Sequence, residues 1–201
     1  LRMLYVIGTR GCPYKCTYCD AVGIANAVQG KYYRLRNPVG YAREIAYMWH
    51  KYKPRGVKIA NVYDQIFTVD TKWVKEFCDE YRAQGMADEF KFSAFSRIDH
   101  LNEEKMKMLG KGGCCLLRVG IEAGNDYVRN DVYRKRITKD QIRKVIKLGK
   151  EHGVGFTAFF ILGGPSESRQ TINETIDLAR ELDANRSAFF VYKPFTEEGK
   201  K

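Results

Sequence analysis

The sequence has 201 residues, 44% of them hydrophobic, which suits a single domain with a sizeable buried core. Lys and Arg outnumber Asp and Glu by 35 to 24, and this net charge of +11 is spread along the chain, so it favours solvated helix faces or an acidic partner domain over a nucleic-acid-binding surface. No apolar run approaches the length of a transmembrane helix, which excludes a membrane-spanning helix and, with six cysteines expected to be free, predicts a cytoplasmic location.

The first predicted strand, residues 3–7, leads directly into a loop that contains three of the six cysteines. Cys12, Cys16 and Cys19 follow the spacing C-x3-C-x2-C. Three thiolates from one short loop can bind three irons of a [4Fe–4S] cluster, because cysteine sulfur is the usual ligand of such clusters. The fourth iron then has no protein ligand, and an open metal position is one where chemistry can take place.

A disulfide framework, a zinc site and a buried helix face would each also produce closely spaced cysteines. A disulfide framework is typical of small secreted domains, and this chain is longer than those. A zinc site needs a fourth Cys or His nearby, and the nearest histidine, His50, is far along the chain. One buried helix face would suit spacings of four and three, but Gly11 and Pro13 favour a loop. An iron–sulfur cluster is therefore the favoured prediction.

Strand-like and helix-like segments alternate along the rest of the chain. Five further strands are predicted at residues 57–62, 90–95, 114–121, 154–162 and 187–192. Apolar residues at helical spacing predict five helices at residues 41–52, 71–84, 102–111, 139–152 and 168–182. Six strands with five intervening helices predict an α/β fold with a parallel sheet, in the form of an open, partial (β/α)6 TIM-like barrel.

The cysteine loop resembles the signature of the radical S-adenosylmethionine (SAM) superfamily, in which C-x3-C-x2-C binds a [4Fe–4S] cluster and SAM chelates the open iron. In that family the residue before the third cysteine is usually aromatic and lies near the SAM adenine; here it is Tyr18. The resemblance implies the same barrel, an electron donor such as flavodoxin or ferredoxin, and reductive cleavage of SAM to start radical chemistry.

Polar residues at the ends of the predicted strands extend this resemblance, since chemistry in parallel α/β folds takes place at the carboxyl ends of the strands. Asp64 and Gln65 follow the second strand in a D-x-x-F-T-x-D stretch and are implied to bind the SAM ammonium group. Arg97 follows the third strand and is implied to pair with the SAM carboxylate. The alternatives are that Asp64 caps a turn and that Arg97 pairs with Asp99.

The later strands carry the remaining candidates. Glu122 lies in a G-I-E-x-G stretch and is implied to bind SAM hydroxyls or its amine, the alternative being a structural ion pair with Arg118 or Arg97. Leu162 and Gly163, at the end of the fifth strand, are implied to line the adenine pocket. Tyr192, at the end of the sixth strand, is implied to pack near the adenine.

The combined motifs look most like the branch of the family whose core follows a cobalamin-binding domain. That branch implies a methyltransferase or related biosynthetic enzyme that acts on a small molecule or natural product, with cobalamin bound mainly by a flanking domain. We expect residues 1–201 to be one radical SAM core domain excised from a longer chain. The alternatives are a cobalamin-independent enzyme, such as an RNA-modifying methylthiotransferase, which the basic charge favours, and a non-catalytic metal-binding module.

Overall fold

The computed structural model describes residues 2–194, and six strands of this part form one parallel sheet. In chain order the strands are β1 Arg2–Val6, β2 Thr9–Arg10, β3 Arg34–Leu35, β4 Val57–Val62, β5 Phe92–Ser96, β6 Cys114–Glu122, β7 Gly155–Leu162 and β8 Arg186–Val191. The parallel sheet has the order β1-β4-β5-β6-β7-β8, so its strands neighbour one another in sequence order, and it curls into a half-barrel. The predicted open, partial barrel is confirmed.

Helices connect successive strands of the sheet. They are α1 Ala21–Ala27, α2 Pro38–Tyr52, α3 Thr71–Ala83, α4 Met86–Glu89, α5 Glu103–Lys111, α6 Lys139–Glu151 and α7 Arg169–Glu181. The five longest helices each begin after a side chain that accepts a hydrogen bond from a backbone N–H of the first turn. These N-caps are Asn37, Asp70, Asn102, Thr138 and Ser168. The predicted start at residue 41 is three residues late, since α2 begins at Pro38.

The main core lies between the helices and the convex face of the sheet. Phe77 of α3 is fully buried, and its ring centroid lies 5.1–5.8 Å from those of Phe67, Trp73, Tyr81 and Phe92. Burying an aromatic side chain of this size contributes roughly 1.5–3 kcal/mol, so this cluster holds α3 firmly against the sheet. The opposite, concave face of the sheet is left open for a ligand.

Several local elements were not predicted, among them α1, α4 and the antiparallel ribbon in which β2 pairs with β3. The ribbon joins the two ends of the cysteine loop. Gly11, the first residue of the loop, has φ +85°, and a Cβ added to it would lie only 2.5 Å from the Tyr32 carbonyl oxygen. A side chain at residue 11 would therefore strain the backbone and clash with it.

The three cysteines outside the loop are free thiols, as expected from the sequence. Cys78 and Cys114 are buried and Cys115 is half-buried. Within residues 2–194, no helix combines the length and the apolar character needed to cross a membrane.

Candidate active site

The carboxyl ends of the strands open into a cavity of about 960 Å³ on the concave side of the sheet. The cavity wall includes nine of the eleven predicted site residues, namely Cys12, Cys16, Tyr18, Cys19, Asp64, Gln65, Arg97, Glu122 and Tyr192. Leu162 and Gly163 do not line it; the preceding inward-facing residue of β7, Ile161, does. Residues far apart in sequence are thus brought to one site by the barrel.

The cysteine loop packs on the strand ends through a cation–π contact and several hydrogen bonds. The Arg97 guanidinium carbon lies 3.8 Å from the centroid of the Tyr14 ring, and the Tyr14 hydroxyl forms a hydrogen bond with Nε2 of His100. Nδ1 of His100 lies 3.2 Å from the Thr68 carbonyl oxygen. On the other side, the Thr17 hydroxyl donates to the Val132 carbonyl at 2.6 Å. These contacts hold the loop in place over the strand ends.

The thiols of the loop are buried or half-buried, and that of Cys16 contacts a cation. Nη1 of Arg97 lies 3.5 Å from Sγ of Cys16 and donates to it. Burial raises the pKa of Cys12 and raises that of Cys19 to about 11, so these thiols are protonated at neutral pH without a metal, and metal binding must release their protons. Within residues 2–194 no three Cys, His, Asp or Glu side chains converge on one metal ion, whereas a [4Fe–4S] cluster binds each thiolate through a different iron.

Three side chains of the cavity wall form one hydrogen-bonded group, in which Glu122 and Lys135 are buried and Tyr18 is half-buried. Oε1 of Glu122 accepts hydrogen bonds from the Tyr18 hydroxyl at 2.7 Å and from Nζ of Lys135 at 2.9 Å. The Lys135 ammonium also lies 3.0 Å from the Tyr18 oxygen. The side chains of Lys135 and Glu122 are only 6% and 7% exposed, so each charge is stabilised mainly by the other. Burial and the neighbouring Glu122 raise the pKa of Tyr18, which keeps this phenol a donor.

The backbone of the G-I-E-x-G stretch explains its sequence. Glu122 has φ +74°, an unusual value for a residue other than glycine, and lies where the register between β6 and β7 shifts. A Cβ at Gly120 would lie 1.9 Å from Oε1 of Glu122 and 2.8 Å from Nζ of Lys135. A Cβ at Gly124 would lie 2.1 Å from the Glu174 carbonyl oxygen. The two glycines therefore make room for the ion pair and for the close approach of α7.

The sequence did not reveal Lys135, which lines the cavity, or Tyr133, which is buried behind the cavity wall. The expected alternatives for the partner of Glu122 were Arg118 and Arg97, and its partner in the structure is Lys135. Tyr133 is buried, with its ring 5.3 Å from that of Tyr18 and 6.3 Å from that of Tyr192. Both residues follow a π-helical turn, residues 128–132, which has no recognisable sequence periodicity.

Arg97 is strongly engaged by the protein. Its Nε and Nη2 donate to the two carboxylate oxygens of Asp99 at 2.9 and 3.0 Å, and Nη2 also donates to the Lys135 carbonyl at 2.8 Å. The structural alternative for the arginine, a pair with Asp99, is thus present as a bidentate contact. A contact of Arg97 with the SAM carboxylate stays a prediction.

Asp64 caps the turn that follows β1. Its Oδ1 accepts from the backbone N–H groups of Gly8 at 2.7 Å and Thr9 at 3.0 Å, while Oδ2 is buried without a hydrogen-bond partner among the described residues. Desolvation of the carboxyl group outweighs these hydrogen bonds and raises the pKa of Asp64 to about 6. The turn-capping role is therefore visible, and binding of the SAM ammonium group by Asp64 stays a prediction.

The raised pKa of Asp64 has a measurable effect on stability. The folded state binds the proton more tightly than the unfolded chain, so the stability contributed by protonated Asp64 is lost as the pH rises from about 4 to 6. A shift of about two pKa units corresponds to about 3 kcal/mol. We expect Asp64→Asn, which retains the turn-capping oxygen, to remove this loss. Denaturant unfolding of both proteins at several pH values from 4 to 8 measures the difference; parallel stability curves would contradict the assignment.

The fold and the cavity define an α/β half-barrel enzyme with a cysteine-rich cofactor loop at the carboxyl ends of its strands. The model of the Radical SAM superfamily matches residues 6–179, and the chain belongs to this superfamily, whose members use a [4Fe–4S] cluster and SAM.

Individual relatives agree with the family assignment. The chain is 27% identical over 190 residues to an uncharacterized methyltransferase of Pyrococcus horikoshii, covering 94% of the chain and 39% of the relative. It is 28% identical over 191 residues to the anaerobic magnesium-protoporphyrin IX monomethyl ester cyclase of Cereibacter sphaeroides, covering 92% and 29%. The chain thus spans about a third of the length of these curated relatives.

A solved structure with the same fold is that of the radical SAM methyltransferase TsrM from Kitasatospora setae with cobalamin and a [4Fe–4S] cluster bound. It matches with a TM-score of 0.77 and 18% identity over 94% of this chain and 34% of the TsrM chain. At this level of identity the match supports the half-barrel fold.

Proposed function

We propose that Cys12, Cys16 and Cys19 bind a [4Fe–4S] cluster in the cavity and that SAM binds beside it against the Tyr18–Glu122–Lys135 group. The observation that carries the proposal is that three thiols and this buried ion pair line one cavity at the carboxyl ends of the strands. When bound, the cluster would supply the electron for reductive cleavage of SAM, which starts radical chemistry on a substrate.

The residues of this chain have distinct tasks in that proposal. Glu122 accepts hydrogen bonds from SAM hydroxyl or amino groups, and the hydrogen bond from Lys135 holds its carboxylate in the orientation needed. Tyr18 and Tyr192, which both line the cavity, provide the rings on which the adenine packs, and the buried ring of Tyr133 packs against both of them. The glycines that flank Glu122 allow this arrangement.

Methyl transfer with the help of cobalamin is the overall activity that we propose for the whole protein. The support is the likeness to a relative named as a methyltransferase and to the fold of a cobalamin-binding methyltransferase. Cobalamin would be bound mainly by a flanking domain of the same longer chain, with a flavodoxin or ferredoxin as electron donor and a small molecule as substrate.

The experiment is anaerobic reconstitution of the full-length protein with iron and sulfide, followed by reduction and addition of SAM. Formation of 5′-deoxyadenosine is expected, together with S-adenosylhomocysteine only when cobalamin is present. Deoxyadenosine formation that is indifferent to cobalamin, with no S-adenosylhomocysteine formed when cobalamin is added, would contradict the methyltransferase proposal and favour a cobalamin-free enzyme. A protein that binds iron but neither binds nor cleaves SAM would contradict the whole proposal.

The contact between Arg97 and Cys16 predicts an effect on the reduction potential of the cluster. A cationic N–H donor to a ligating sulfur stabilises the more negative, reduced cluster. We expect Arg97→Gln to lower the potential and Arg97→Lys, which keeps the charge, to lower it less. Redox titration monitored by electron paramagnetic resonance measures both; equal potentials in all three proteins would show that the contact has no electronic effect.

A further inference from the structure

The concave face of the half-barrel carries a continuous row of aromatic rings below the cysteine loop. The row consists of Tyr5, Tyr63, Phe95, Phe159 and Phe190, and neighbouring ring centroids are 5.3–6.1 Å apart. The rings belong to β1, the end of β4, β5, β7 and β8, so they cross nearly the whole sheet. Tyr5, Tyr63 and Phe190 are each more than half exposed, which is unusual for large aromatic side chains that bind nothing.

Strand β6 contributes no ring to this row but the guanidinium group of Arg118. Arg118 pairs in register with Phe95, and its guanidinium carbon lies 4.4 Å from the Phe95 centroid and 6.0 Å from that of Tyr63. Its Nη2 donates to Oδ1 of Asn61 and, at 2.6 Å, to the Ser93 hydroxyl. Nε and Nη1 donate to no atom of residues 2–194, which leaves three N–H groups of the arginine for a ligand.

Arg118 also differs from the other buried cations of the cavity in its charge environment. Arg97 is paired with Asp99 and Lys135 with Glu122, but no carboxylate within residues 2–194 forms an ion pair with Arg118. Burial lowers the pKa of Arg118, as expected for a desolvated cation without a carboxylate, although an arginine stays charged. A half-buried cation between π-faces is a site at which charge complementarity favours an anion.

We infer that this concave face binds a flat, conjugated anion, whose carboxylate, sulfonate or phosphate group is bound by Arg118 and whose ring system packs on Phe95 and Phe159. The cavity of about 960 Å³ is large enough for such a molecule together with part of SAM. Arg118 and Glu122 both belong to β6 and line the cavity, with Arg118 nearer the amino end of the strand, so the ligand lies between the arginine and the SAM site. A ligand in this position is the substrate of the radical reaction proposed above. Its role as substrate rests on that proposed function, whereas binding of the anion does not.

Two dyes that differ by one anionic group test the inference in the full-length protein. The anion 8-anilinonaphthalene-1-sulfonate has an aromatic body with a sulfonate, and N-phenyl-1-naphthylamine has the same body without it. We expect the sulfonate dye to bind and Arg118→Met to weaken its binding roughly ten-fold to hundred-fold, because a charge-assisted hydrogen bond is lost. Binding of the neutral dye is expected to change little. Fluorescence titration measures both dissociation constants.

Further variants separate the parts of the site. Arg118→Lys keeps the cation and is expected to retain most of the affinity for the sulfonate dye, which also keeps the test valid should the Met variant fold poorly. Phe159→Ala is expected to weaken both dyes. Arg180→Met removes an exposed arginine of α7 and serves as the matched control, with both affinities unchanged.

Several results of these titrations would contradict the inference. If the sulfonate dye does not bind, or binds equally to the wild type and Arg118→Met, the inference is wrong. It is also wrong if the arginine variants weaken both dyes to the same extent. The titrations need neither SAM nor a reduced cluster, so a failure of SAM cleavage would defeat the proposed function while leaving the dye result intact.

Discussion

Replacing Cys16 with alanine is expected to reduce 5′-deoxyadenosine formation to background. Cys16 is buried in the cavity wall, and its sulfur accepts a hydrogen bond from Arg97. With two thiolates left, the loop no longer provides the three ligands that leave one iron open for SAM. Cys12→Ala and Cys19→Ala are expected to have the same effect, because all three thiols belong to the same loop and cavity.

The measurement has a control within the same chain. Cys115 is half-buried, and its thiol donates to the Phe92 carbonyl at 3.4 Å, far from the cysteine loop in sequence. Cys115→Ala should therefore retain the iron and sulfide content of the wild type after anaerobic reconstitution, as well as the visible absorbance typical of iron–sulfur clusters. A full cluster content in Cys16→Ala, with normal SAM cleavage, would remove this cysteine from the ligand set.

The fold was predictable because its elements carry strong periodic signals. Strands such as β6 and β7 are apolar runs bounded by glycines, and helices such as α6 begin at a capping box and bury one face. The cysteine loop was predictable as well, since spacing alone identifies the thiols. Glu122 stood out because a carboxylate between two glycines at a strand end needs a partner.

The other parts of the site and of the fold depend on irregular backbone, which the periodicity of the sequence does not describe. Lys135, the partner of Glu122, lies between Arg134 and Arg136, which have φ +55° and +57°. Those left-handed residues turn the lysine into the cavity, whereas a helix or strand would have directed it elsewhere. The ribbon of β2 and β3 is only two residues long in each strand, too short to give an alternating pattern. The contacts of Arg97 could not be predicted without the fold either, because the sequence alone does not tell whether this arginine pairs with Asp99 or with a ligand in the cavity.

The buried ion pair of Glu122 and Lys135 predicts the largest effect on stability. Lys135→Met leaves the Glu122 carboxylate buried with the Tyr18 hydroxyl as its hydrogen-bond donor, and removing one partner of a buried pair costs about 3–5 kcal/mol. Glu122→Gln leaves the ammonium of Lys135 buried without its counter-ion and is expected to destabilise to a similar degree. The double variant Lys135→Met with Glu122→Gln should be less destabilised than the sum of the two, because no uncompensated charge remains.

Denaturant unfolding of the cluster-free protein measures these four free energies and so completes a double-mutant cycle. An exposed pair, Arg143 with Glu181, is the matched control, since side chains that are 45% and 48% exposed are screened by water and Arg143→Met should change stability little. Additive effects of Lys135→Met and Glu122→Gln would mean that the two charges do not stabilise each other. SAM affinity provides the functional readout: because Glu122 is proposed to bind SAM directly, the double variant should recover stability without recovering SAM binding. Recovery of both would show that Glu122 is a structural residue and not a ligand of SAM.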